Sequence, residues 1–92
     1  MPYIKEERRL EYDSIIEDLV KKLKPLVNDD LCGDLNYIIS RICWSLSIPT
    51  RYARINMIMG VLSAATAEYY RRMAAPYEEK KILENGDVEP AK

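Results

Sequence analysis

Residues 33 to 46 read Gly33-Asp34-Leu35-Asn36-Tyr37-Ile38-Ile39-Ser40-Arg41-Ile42-Cys43-Trp44-Ser45-Leu46, and this stretch decides the fold class. Leu35, Ile38, Ile39, Ile42, Cys43 and Leu46 recur at i, i+3, i+4, i+7, i+8 and i+11, which is one face of an α-helix. Tyr37, Trp44 and Ile48 add a second apolar face at roughly heptad spacing. The expected helix is 34–47, opened by Gly33 or by Asp34 as N-cap after a turn at Asn28-Asp29-Asp30. It is closed by Ser47-Ile48-Pro49-Thr50, because a residue before proline resists the α region.

Outward from there the same period continues. Toward the N-terminus, Ile15, Ile16, Leu19, Val20 and Leu23 form the apolar face of a helix expected over 13–24. Asp13 or Ser14 is its cap, a short helical segment from about Lys5 precedes it, and Pro25 ends it. Toward the C-terminus, Thr50 caps a long helix expected over 51–75. Tyr52, Ile55, Ile58, Met59, Leu62 and Met73 lie on one face, and Met57, Val61, Ala64 and Ala65 widen the arc. Pro76 kinks or restarts the chain into a short segment over 77–84, Asn85-Gly86 stops it, and 87–92 reads as a frayed tail. No stretch alternates at period two long enough to nominate a strand. The chain reads as one all-α helical-bundle domain over 1–92, with three main helices and short helical segments at either end.

The 92 residues carry 48% apolar side chains, enough for a globular core rather than disorder. Phe is absent, so seven Tyr and one Trp supply all the aromatic area. Fourteen basic and fifteen acidic residues, read as interleaved, give a net charge of −1 and no strong field to steer nucleic acid or anionic lipid. The absence of His removes the commonest general base and metal ligand. Cys32 and Cys43 fit neither a zinc spacing nor a disulfide framework, and Cys43, on the apolar stripe, reads as a buried free thiol. Met1 to Leu10 is too charged for a signal peptide, and Ile55 to Ala67 is shorter than the ~20 apolar residues of a membrane helix. A cytoplasmic protein without cofactor and without membrane contact is the expectation.

Three helices with this much apolar surface exceed what one small copy covers. Gly60, Ala64 and Ala67 put small residues in line on the third helix, where another backbone can approach closely. The expected oligomer seam is Met57, Gly60, Val61, Ala64 and Ala67, and a two-fold dimer is the simplest form. The alternative is a C-terminal segment folded back over the excess. Polar residues set in apolar runs are the candidate site: Asp34, Asn36, Asn56, Glu68, Arg71 and Arg72, read as a register-fixing network or as a polar pocket. Arg51 and Arg54, beside Tyr52, read as salt-bridging groups at a bundle end. No P-loop, nucleophile elbow, dinucleotide turn or calcium loop is present, and no catalytic residue or metal ligand is nominated.

Three stretches carry a family resemblance: Met1-Pro2-Tyr3-Ile4 with Glu7-Arg8-Arg9, Gly33 to Ile39, and Tyr70-Arg71-Arg72 through Ala75-Pro76-Tyr77-Glu78 and Lys81-Ile82 to Glu84-Asn85-Gly86-Asp87-Val88. On these the chain resembles a family of small uncharacterised proteins, of unknown function, from prokaryotic and phage genomes, while Ile42 to Pro49 departs from it. The resemblance implies no catalytic residue, and it suits an accessory protein of phage or mobile elements. Three functions follow in order. The first is a self-associating helical adaptor without enzymatic activity, presenting Tyr, Trp and Arg to an unidentified protein partner. The second is a magnesium-dependent, nucleotide-handling helical enzyme, in which Glu17 or Asp18 would partner Glu68. The third is a nucleic-acid-binding accessory protein using Arg51, Arg54, Arg71 and Arg72, disfavoured by the net charge.

Overall fold

The computed structural model describes residues 2–90. Four α-helices and one π-helical turn follow one another: α1 (Glu6–Leu23), α2 (Asn28–Leu46), α3 (Tyr52–Tyr69), a π turn (Tyr70–Ala74) and α4 (Ala75–Asn85). No strand occurs among the described residues. The all-helical expectation holds, and three boundaries differ from the sequence reading.

The break expected near Tyr12-Asp13 is absent. α1 runs through Asp13 and Ser14, absorbing the short N-terminal segment, and begins at Glu6. Glu6 and Glu7 in its first turn complement the helix dipole, so the start needs no side-chain cap. The preceding segment is tied back by Arg9, whose Nε donates to the carbonyl of Ile4 at 2.8 Å.

The second difference is α2, which opens at Asn28 instead of Gly33 or Asp34. Asn28 takes φ 51°, a left-handed conformation that asparagine tolerates. Asp29 and Asp30 then occupy the first helical turn, where acids face the positive end of the dipole. Residues typical of a turn here serve as a helix start. Gly33 consequently lies inside α2, at a cost of about 1 kcal/mol relative to alanine.

The third difference is at the end of the long helix. Pro76 has no N–H for the carbonyl four residues earlier and its ring clashes with that carbonyl. The chain responds by widening into the π turn, in which the Ala75 N–H donates to Tyr70 O, before α4 restarts with Pro76 in its first turn. α4 ends at Gly86, whose N–H donates to Ile82 O at 2.8 Å and whose φ of 90° suits glycine alone. Residues 86–90 are non-helical, and the remainder of the expected tail, 91–92, lies outside the described residues.

The chain divides into two units, Pro2–Ile58 and a second beginning at Met59. In the first, α1 and α2 are joined by a short connection at Pro25 and touch near it, and Leu19, Leu23, Leu26, Leu31 and Ile38 are half-buried. Arg54 Nε donates to the Leu46 carbonyl at 2.9 Å, satisfying one of the open acceptors at the end of α2. This replaces the ion pair expected of Arg54. In the second unit, α4 continues directly from the π turn, and Ala74 and Ala75 at the junction are half-buried. No described residue of either unit is fully buried.

Across the π turn the Tyr70 hydroxyl donates to the Glu78 carboxylate, and that bond, with the charge of Glu78, raises the phenol above its ordinary range. The protonated phenol holds the bond, so its contribution is complete below the unfolded tyrosine value of about 10 and is lost as pH rises through the folded one. Glu78→Gln is expected to return Tyr70 toward the ordinary value, read as tyrosinate absorbance of the variant minus that of a Tyr70→Phe control. An unchanged titration removes the bond. Gly86→Ala, forced into a positive φ, is expected to lose about 1–3 kcal/mol locally, seen as faster amide exchange in the last turn of α4 with the other helices unaffected.

Candidate functional site

α2 is two-sided. At about 100° per residue, Leu35, Ile39, Ile42 and Leu46 fall on one side and Tyr37, Arg41 and Trp44 on the other, while Ile48 lies just past the end of the helix, before Pro49. Both sides are open: Ile42 is 52% exposed, Trp44 71% and Tyr37 62%. On the aromatic side Arg41 Nη1 donates to the Tyr37 hydroxyl at 3.2 Å, one helical turn back. Tyr37, Arg41, Trp44 and Ile48 line a shallow hollow with Ser40 and Ser45. Ile48 also lines a second hollow, with Leu46, Pro49, Arg51 and Arg54.

The charges are not interleaved here as they are elsewhere. Between Leu35 and Ala67 the only charged side chains are Arg41, Arg51 and Arg54, and every acid of the chain lies outside that span. Among the described residues no carboxylate pairs with any of the three.

α3 differs from the sequence expectation of a face with a widened arc. Its apolar residues go round the helix: Met57, Gly60, Val61, Ala64 and Ala67 share one side, while Ile55, Ile58, Met59 and Leu62 lie on the opposite one. Met57 (64%) and Val61 (65%) are open, and a Cβ built on Gly60 meets no atom within 4 Å. A helix apolar on all sides ordinarily sits inside a protein.

The polar candidates are dispersed. Asp34, Asn36 and Asn56 belong to the first unit and are exposed, and Asn36 Oδ1 accepts from Ser40 Oγ at 3.1 Å. Asn56 stands open on α3, without the burial that would oblige its amide to find a partner. Glu68, Arg71 and Arg72 belong to the second unit, where the half-buried Glu68 carboxylate pairs with Arg71 one turn on. Lys81 bonds Glu84 at 3.1 Å and lies 5.5 Å from the Tyr77 ring centre, an exposed arrangement of small energetic weight. No three His, Cys, Asp or Glu side chains among the described residues gather as a metal site would require. Cys32 is exposed, Cys43 is half-buried where full burial was expected, and both are free thiols.

Sequence reasoning found Tyr37, Trp44 and Ile48 but not Arg41 between them. The signal was available in the i, i+4 spacing of Tyr37 and Arg41 and in the acid-free span around them. The Tyr70–Glu78 bond had no such signal, because its i, i+8 spacing is not a neighbour relation on a regular α-helix.

No helix among the described residues is long and apolar enough to cross a membrane. No curated protein and no solved structure matches the chain. A family model does, over residues 1–88, and its description is Domain of unknown function (DUF6899). With nearly its whole length matched, from the segment before α1 to the residues after α4, the chain belongs to the DUF6899 family.

Proposed function

We propose that this protein is a helical interaction module, without enzymatic activity, that associates with itself through the apolar sides of α2 and α3. Such a module suits an accessory protein of a prokaryote or phage, working in the cytoplasm. The observation that carries the reading is α3: apolar all round, uncharged from Ile55 to Ala67, and without a single buried residue.

A second copy is the simplest cover. Leu35, Ile39, Ile42 and Leu46 along α2, and Met57 and Val61 on the Gly60 side of α3, are each between 42% and 65% exposed. Apolar stripes left open in this way on soluble proteins mark association sites. The small residues Gly60, Ala64 and Ala67 add a line along which two helices can meet closely, and a self-complementary patch is what a two-fold dimer uses. In such an assembly Asn36 and Asn56, with Glu68 through its pair with Arg71, would help fix register between helices, the role polar groups play in apolar seams.

Light scattering after size exclusion is expected to return a mass at least twice the 10.7 kDa of the chain. Ala64→Glu, placing a charge in the seam, is expected to weaken association about 100-fold. Gly60→Ala separates the alternatives by sign. On an open helix it stabilises by about 1 kcal/mol, whereas against a closely approaching backbone it loosens the assembly. A monomer at high micromolar concentration, with Gly60→Ala melting higher than the parent, overturns the reading.

A further inference from the structure

We propose that the side of α2 carrying Tyr37, Arg41 and Trp44, with Ile48 just beyond the helix end, docks a short acidic segment of another protein, one that brings an apolar side chain as its anchor. The inference deepens the reading of the protein as an interaction module by naming the chemistry of its partner. It uses a different surface from self-association. The aromatic strip and the aliphatic stripe lie on opposite sides of α2, so a copy seated on Ile39 and Ile42 leaves Trp44 open.

Apolar anchoring comes from the strip itself. Trp44 (71% exposed), Tyr37 (62%) and Ile48 (63%) are large side chains with little cover, and together they line an open hollow. Trp, Tyr and Arg are the residue types that carry most binding energy where proteins meet.

Charge identifies the occupant. The two adjoining hollows are lined by Arg41, Arg51 and Arg54 and by no acid. Two of these guanidinium groups are held in place: Arg41 by its bond to Tyr37 and Arg54 by its bond to the Leu46 carbonyl. Each keeps further N–H donors for a carboxylate, and a group already positioned loses less freedom on binding. An extended nucleic-acid strand is the poorer fit. It would run past three arginines onto a chain of net charge −1 whose acids begin at Asp34, one turn before Tyr37, and resume at Glu68, and phosphate binding gains with each charge neutralised. A short acidic peptide ends where the arginines do.

Trp44 is the sole tryptophan, so its emission reports on this face alone. The full chain is titrated at low salt with three probes: a twelve-residue peptide of Glu and Asp with Leu at helical spacing, the same peptide with Lys for each acid, and a twelve-nucleotide oligothymidylate. The acidic peptide is expected to give a saturable blue shift that weakens with salt, and the Lys peptide none. Arg41→Glu is expected to lower the affinity about tenfold or more. Ser45→Glu, which adds an acid beside the hollow and leaves every arginine in place, is expected to weaken it in the same direction. Circular dichroism establishes that both variants are folded. The proposal is overturned by no saturable response to the acidic peptide, by an equal response to the Lys peptide, or by binding of the oligonucleotide alone. It is also overturned if the free protein already emits as a buried indole, since the face is then covered. Light scattering on the same samples keeps the two readings apart. A monomer that binds the acidic peptide loses self-association and keeps the docking face, and a dimer that ignores it does the reverse.

Discussion

Hydrogen bonding and burial are decoupled in this chain, and that is the constraint on which the rest depends. Each helix satisfies its own backbone through i→i−4 bonds, so the secondary structure is complete within single elements. Isolated helices of this length are nonetheless marginal in water, because fixing the backbone costs about as much as the bonds return and tertiary cover supplies the difference. α3 makes the point most sharply. It carries no charge over thirteen residues and places Gly60 at its middle, a helix weak in propensity and strong in its demand for burial. A sequence of that kind is suited to a helix surrounded by others. Neither unit supplies that surrounding, as Met59, Val61 and Leu62 in one and Ile55 and Met57 in the other are all exposed.

The points at which sequence reading succeeded and failed follow from which physics was local. Pro25 and Pro49 end helices because ring closure constrains the residues beside them, and Gly86 stops α4 because its φ of 90° is closed to other residues. All three were legible from residue type alone. The start of α2 was not, because Asn28-Asp29-Asp30 suits two structures equally. The same short polar side chains that favour a turn also suit the first turn of a helix, and only the left-handed Asn28 distinguishes the outcomes. The run through Asp13 and Ser14 shows the converse. A competent cap does not make a boundary when apolar positions on both sides share one helical period. The π turn was half legible: Pro76 announces a disturbance, but whether a helix kinks, breaks or widens depends on the turn before it.

For the candidate surface, the limit was reading charge over the wrong length. Summed over the chain the charges nearly cancel, and that sum bears on solubility and long-range steering. It conceals that residues 35–67 contain three arginines and no acid. Contact between proteins is decided over distances near the Debye length, about 8–10 Å at physiological salt, so local composition matters more than the total. The polar residues noticed first, Asn36, Asn56 and Glu68, stand out by contrast with apolar neighbours. Arg41 does not, because an arginine on a helix surface is unremarked until its bond to Tyr37 and its neighbour Trp44 are seen.

Two-sidedness in α2 bears on how self-association and docking, as proposed, would be kept apart. A 19-residue helix offers two usable stripes only if both sides are apolar enough to bind and differ enough in character to choose different partners. The aliphatic stripe has branched side chains without polar atoms, which favour a matching stripe of their own kind. The opposite stripe has an indole, a phenol and a guanidinium, each with a polar edge that an aliphatic surface would leave unsatisfied. Pairing the two stripes with each other therefore strands buried polar groups, while like-with-like association on the aliphatic side does not. In the proposed assembly this difference in desolvation cost, more than any difference in area, is what would leave the aromatic side of α2 open to an acidic partner.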